Sequence, residues 1–242
     1  MPTQVEKLAA HTSHLLDAFI GLKERYALLR PMLFDDDVVK KHGSYERARG
    51  FRALRTALFL SCAQDIAKLS LDKDDRTPSI RRLVGALQDA SLQGELRERF
   101  ASWEAPSIEG ESDPEILEAL NRMRIWEQEG RRSQFDQILA SANARCLALE
   151  SDPALSGFVT IRDKVSAHTE VHLVADKYQF VDVSQLGIKW ADIGRIIDVM
   201  QALVEELGML IRNAGFAWDS LEVQLANASA GFWQSNDASL RS

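Results

Sequence analysis

The chain has 242 residues, 45% hydrophobic and 27% charged, with a formal net charge of −7. That apolar fraction excludes an intrinsically disordered chain, which cannot bury enough surface to offset its ordering entropy, and 6 prolines with 13 glycines are too few for a collagen-like or low-complexity protein. The acidic balance argues against a surface that coats nucleic acid, because neutralising phosphates takes Lys and Arg.

A local basic site is still possible. Residues 44–100 carry 11 Lys/Arg against 8 Asp/Glu, whereas residues 101–161 carry 5 against 11 and residues 170–242 carry 5 against 10.

The periodicity is helical almost throughout. A first helix is predicted over about residues 3–30, with Leu8, Leu15, Leu16, Phe19 and Leu22 on one face and Pro31 closing it. Residues 34–41 (FDDDVVKK) read as a short polar connector. Ser44 is a plausible N-cap for a second helix to about Ser70, whose apolar face is Phe51, Leu54, Leu58, Cys62, Ile66 and Leu69. Arg49, Arg52 and Arg55 fall on the adjacent side. Thr77-Pro78 marks the start of a short helix through Leu87, and Asp113-Pro114 marks a long one, with an interruption at Gly130 and resumption from Phe135 to Leu149. Asp152-Pro153 opens a further helix to about His168. Residues 178–183 (YQFVDV) alternate polar and apolar, as a short strand or an extended loop. From Ile188 to about Arg212 runs the strongest pattern: Ile193, Ile196, Ile197, Met200, Leu203, Val204, Leu207, Leu210 and Ile211 form one stripe, with Gly215 as the stop. A weak last helix follows from Trp218 to Trp233. No repeat and no composition break marks a boundary, so one all-α domain over residues 1–242 is expected, a helical bundle with a core over about 5–212 and a C-terminal extension over 213–242.

Chemistry-bearing residues are few. The sequence has no Gly-rich phosphate loop, no paired helical histidines flanking a glutamate, and no nucleophile elbow. Asp72, Asp74 and Asp75 lack the glycine and closing glutamate of an EF-hand and read as capping acids of an inter-helix turn. No metal and no cofactor are expected. Cys62 and Cys146, far apart among apolar residues, read as buried thiols in a reducing compartment. Met1–Ala10 has no basic stretch followed by an apolar run, and no apolar run is long enough to span a bilayer; a cytoplasmic location and no membrane contact are expected. His11, His14 and His42 occupy polar positions where solvent exposure is expected, and the five tryptophans read as core packing.

His168 differs because of the segment that it ends, residues 161–168 (IRDKVSAH). Imidazole titrates near neutrality and moves protons at physiological pH. Guanidinium is always charged and forks onto phosphate oxygens. Arg162 with His168 therefore suits cleavage of an RNA phosphodiester by the ribose hydroxyl, with no metal. The same residues also suit a helix end whose basic groups offset the dipole. On an ideal helix six residues place Arg162 and His168 about 120° apart. Either the helix unwinds before His168, or two copies of the segment meet and supply the site jointly.

The segment IRDKVSAHTE resembles the signature of the HEPN superfamily: arginine, a polar residue (Asp163), a spacer and histidine. The stretch from Phe51 to Leu87, ending DIAKLSLDKDDRTPSIRRLVGAL, further resembles the abortive-infection U-type (AbiU-type) branch of toxin-like bacterial proteins. The resemblance implies a four- to five-helix bundle with extra short helices and little or no strand, forming a homodimer whose paired motifs face a cleft that cuts RNA without metal. Carried over by position, it assigns Arg162 to the scissile phosphate, His168 to general acid/base work and Asp163 to orienting the site. Lys164, Arg81 and Arg82 would help hold RNA by local charge. It also implies an antitoxin partner protein. In some members a partner antitoxin modifies a tyrosine two residues after the histidine; Glu170 stands there in this chain.

Two other readings stay open. One is a non-catalytic helical dimer acting as a protein-binding or regulatory module. The other is a nucleotide- or small-ligand-binding bundle with a pocket lined by Arg49, Arg52 or Arg55.

Overall fold

The computed structural model describes residues 3–74, 76–104, 113–166, 171–174, 177–180 and 186–234. The fold is all-α. In chain order the helices are α1 (Gln4–Phe34), α2 (Asp36–His42), α3 (Ala48–Leu71), α4 (Ile80–Ala86), α5 (Ala90–Ala101), α6 (Pro114–Glu150), α7 (Pro153–Thr160), α8 (Trp190–Arg212) and α9 (Trp218–Gln234). A 3₁₀ turn (Tyr45–Arg47) leads into α3, and a π-helical turn (Ile161–Ser166) continues α7. One antiparallel hairpin joins β1 (Val171–Val174) to β2 (Lys177–Phe180), with Val171 opposite Phe180 and Val174 opposite Lys177.

The helix α8 is central: it packs on α1, on α3 and on the second half of α6. Its whole predicted stripe, from Ile193 to Ile211, is buried. Opposite it lie Leu15, Phe19, Leu22 and Leu29 of α1, Cys62 and Ile66 of α3, and Phe135, Leu139, Ala142 and Cys146 of α6. Burial raises the Cys62 thiol to about 12 and the Cys146 thiol to about 11. Both are small protonated hydrophobes, as expected.

Several expected boundaries move, each for a local reason. The first helix does not close at Pro31 but runs on to Phe34. Proline 31 cannot donate to the carbonyl of Ala27; that oxygen instead accepts from Ser229 Oγ at 2.7 Å, and Leu28 O accepts from Trp233 Nε1 at 3.1 Å. Helix α9 thus seals the break. Removing the hydroxyl in Ser229→Ala is expected to cost ~1–3 kcal/mol, the penalty of an orphaned buried carbonyl. With Pro31→Ala also present, position 31 regains an N–H for that oxygen and the cost should shrink. A double-mutant cycle by urea unfolding reads this coupling; additive effects would disprove it.

The stretch FDDDVVKK is helix α2 rather than a connector. Asp35 Oδ1 accepts from the amides of Asp37 and Val38, and the basic Lys40, Lys41 and His42 fill the last turn, so charge matches the dipole at both ends. Ser44 caps nothing; its hydroxyl donates to Lys40 O. The cap of α4 is Ser79, one residue past Pro78, with its Oγ accepting from Arg82 N. Helix α5, absent from the predicted elements, is capped by Asp89. Helix α6 starts at Asp113-Pro114 as expected but crosses Gly130 without a break. A single interior glycine costs only ~1 kcal/mol, and ion pairs Arg131–Glu127 and Arg132–Glu98 brace the helix there. Finally, α8 stops at Asn213, which takes the left-handed conformation at φ 52° in place of Gly215.

Candidate active site

The site is built on α7. Asp152 caps it, with Oδ1 accepting from Ala154 N at 2.9 Å, and also holds Arg195 of α8 in an ion pair. The guanidinium of Arg195 keeps the Asp152 carboxyl below the usual carboxylate range. Gly157 allows the segment after the hairpin to cross α7, since a Cβ there would lie 2.6 Å from Ile188 Cγ1. Phe158 and Ile161, both fully buried, pin the helix to the core. One turn after Gly157 the backbone widens into the π-helical turn, and α3 packs against both. Turns of this kind are rare and recur at functional sites.

Arg162 stands in that turn with its side chain 28% exposed, and its Nε donates to Asp163 Oδ1 at 2.7 Å. The bond to Asp163, joined by attraction from Asp163 and Asp72, raises the Arg162 pKa further above its ordinary value. It is a permanent cation held sideways by its neighbour. Lys164 is half-buried one turn-step on. His168 lies outside the described residues. Regular α-helix ends at Thr160, so Arg162 stands on the π-helical turn rather than on an ideal helix.

Asp72 ends α3 and begins a turn of the expected capping type. Asp72 Oδ1 accepts from Asp74 N, and Asp74 Oδ1 accepts from Arg76 N at 2.9 Å. Hydrogen bonds from Arg76 lower the Asp74 carboxyl to about 2. Asp75 lies outside the described residues, among which no cluster of His, Cys, Asp or Glu has the makings of a metal site.

The two α4 arginines part company. Arg81 forms an ion pair with Glu150 at 3.3 Å, and Arg82 Nη1 meets His11 Nδ1 of α1 at 2.8 Å. His11 is therefore not the solvated side chain expected of it. Lys7 and His14 share its helix face, at spacings of four and three residues. Arg82 also adds a minor attraction that lowers the Asp74 carboxyl. The signal of this basic strip was present in the sequence as Lys7, His11 and His14 on one face, but α4 had to supply the fourth group.

Arginine only donates, so His11 Nδ1 must accept, which requires it unprotonated. Burial first, then Arg82, Lys7 and His14, hold the His11 pKa below 6.5. Below pH 6.5 the folded protein thus binds fewer protons than the unfolded chain. Its contribution to stability is complete above 6.5 and falls away as pH drops through the lower folded value. Urea midpoints measured from about pH 5 to 7.5 should decline less toward acid in His11→Gln than in the parent; parallel declines would assign the effect elsewhere.

A groove of about 620 Å³ lies apart from Arg162, between α1, α8 and α9. Its buried Lys23 bonds Glu222 and Gln201, and its lining mixes Arg30 with Asp35 and Asp198. Arg49, Arg52 and Arg55 do not line this groove.

The family model HEPN AbiU2 matches residues 5–232, from the start of α1 nearly to the end of α9. The chain belongs to the HEPN AbiU2 family. No curated protein and no solved structure matches it. Membership bears out the resemblance read from IRDKVSAHTE and from residues 51–87. It gives this AbiU2-family chain an abortive-infection HEPN-like character. No helix among the described residues is long and apolar enough to cross a membrane.

Proposed function

We propose that this HEPN protein is a metal-independent endoribonuclease of the toxin or phage-defence type. Arg162 binds and polarises the scissile phosphate, Asp163 orients its guanidinium, and His168 moves the proton. In the reaction a ribose 2′-hydroxyl attacks phosphorus and the 5′-oxygen leaves. One proton leaves the attacking hydroxyl and one reaches the departing oxygen, which is the work of a group titrating near neutrality. Lys164, Arg81 and Arg82 add positive field along the approach of the chain. Two copies would face their motifs across a shared cleft in the cytoplasm, and a partner antitoxin would restrain them.

The observation that carries this reading is the Arg162–Asp163 pair on the π-helical turn, partly exposed and placed within a chain of HEPN AbiU2 membership. The experiment is cleavage of a labelled RNA by purified protein with and without EDTA. Equal cleavage in both supports the mechanism, and loss with EDTA overturns it. The second reading, a non-catalytic binding or regulatory module, draws on the exposed apolar side chains of α6. No cleavage of any RNA, together with a stable protein complex, would favour that module.

A further inference from the structure

The first half of α6 is an arm that the core does not use. Its first buried residue is Phe135, 21 positions after the helix starts at Pro114. Along the arm Ile116 is 38% exposed, Met123 41% and Trp126 75%. Burying a Trp takes 150–250 Å² out of water, so leaving one this exposed forgoes a large gain. The spacing is regular: Ile116, Ala119, Met123, Trp126 and Gly130 alternate steps of three and four, the a/d seam of a two-stranded coiled coil. Off the seam, Gln128 Nε2 donates to Trp103 O at 2.9 Å, while Leu117 and Ile125 are 49% and 54% exposed.

We propose that the α6 arm is a self-association surface that pairs two copies of this chain antiparallel, independently of the Arg162 motif. Three features single out a second copy. The arm is electrically balanced: from Glu115 to Arg132 it carries Glu115, Glu118, Glu127 and Glu129 against Arg122, Arg124, Arg131 and Arg132. Its acids lead and its arginine pair ends, so only an antiparallel mate sets unlike ends together. In that register Met123 of each copy faces Trp126 of the other, and Ala119 faces Gly130, around which a Cβ would meet nothing. Arg122 then lies opposite Glu129 of the second copy, at the flanking positions where charge selects partner and direction. Those two side chains are 67% and 73% exposed and, among the described residues, bonded along their own helix, to Glu118 and Arg132. Such surface pairs are weak enough to exchange.

Geometry agrees. With Met123 against Trp126, the tip of the arm at Pro114 reaches the level of Phe135 in its mate, where the core begins. The arms overlap along their length while the bodies sit at opposite ends. The seam centre lies about 38 Å, at 1.5 Å per residue, from the end of α6 that leads to α7, so pairing here leaves the Arg162 face open.

The test is the mass of the full chain in solution by light scattering over a concentration series. The parent should associate, and Met123→Glu with Trp126→Glu should remove that step of association, weakening it at least about a hundredfold. Circular dichroism checks that the variant keeps its helix. Arg162→Ala should leave the mass unchanged, so failure of the nuclease reading and failure of this one separate cleanly. Arg122→Glu and Glu129→Arg should each weaken association, and the double swap should restore it. A parent that stays monomeric, an association indifferent to the arm variants, or a swap that fails to restore would each overturn the proposal; arm variants that lose only a different bound protein would do so too.

Discussion

Arg162→Ala is expected to lower RNA cleavage by about 10²–10³-fold, with its thermal midpoint nearly unchanged. The magnitude follows from the role. A fixed cation aimed at charge that develops on the phosphate is worth ~3–4 kcal/mol when removed. The fold has little at stake, because the guanidinium is partly exposed and its bond to Asp163 is a surface pair between chain neighbours. His168→Ala should cost a comparable ~10²–10⁴-fold, the usual contribution of a positioned proton carrier. Asp163→Asn separates the two jobs of the pair: it keeps an acceptor for Arg162 Nε but removes the charge, so its loss should be smaller than that of Arg162→Ala. Initial rates on one RNA, alongside scanning calorimetry, check all three. Cleavage that survives Arg162→Ala at the parent rate would remove Arg162 from the mechanism, and a collapse of the thermal midpoint would recast the residue as structural.

How far the sequence foresees this molecule depends on which force shapes each element. Where burial decides, the reading succeeds: the stripe from Ile193 to Ile211 is buried to the last residue, because a three-and-four spacing of large aliphatics leaves a helix no other face to hide. Caps with a proline behind them, at Asp113 and Asp152, are equally legible. The misses share a different cause. Pro31 is harmless only because Ser229, some 200 positions away, supplies a donor that no local window contains. Helix α2 rests on charge matching the dipole within seven residues, a signal that apolar periodicity does not register.

The site divides the same way. Arg162, Asp163 and His168 are readable as a motif, since their residue types carry the chemistry by themselves. The pairing of Arg82 with His11, and of Arg81 with Glu150, depends on how α4 settles between α1 and α6, which adjacent arginines in a sequence cannot reveal. Trp126 makes the point from the other side. Tryptophan is core material by default, and only its place on an arm reaching beyond the core turns it into a surface feature.

Phe158→Ala should prove the most damaging single change near the site. Phe158 is fully buried in α7, one helical turn before Arg162, and belongs to the same core as Ile66 and Ile196. Truncating a buried Phe removes its transfer energy and leaves a cavity, together ~3–5 kcal/mol. That is a large share of the ~5–15 kcal/mol that holds a typical domain folded, and in a chain of this size it corresponds to a fall in Tm of roughly 6–20 °C. Phe158→Leu keeps most of the volume and should cost well under half as much. The two variants also test what supports the π-helical turn. If the turn is held by the burial of α7 beneath it, hydrogen exchange across residues 153–166 should quicken in Phe158→Ala beyond what the global loss explains, and RNA cleavage at a temperature where the variant is still folded should fall with it. Exchange that rises only in step with global unfolding would show that α3, packed on the far side, positions Arg162 without help from α7.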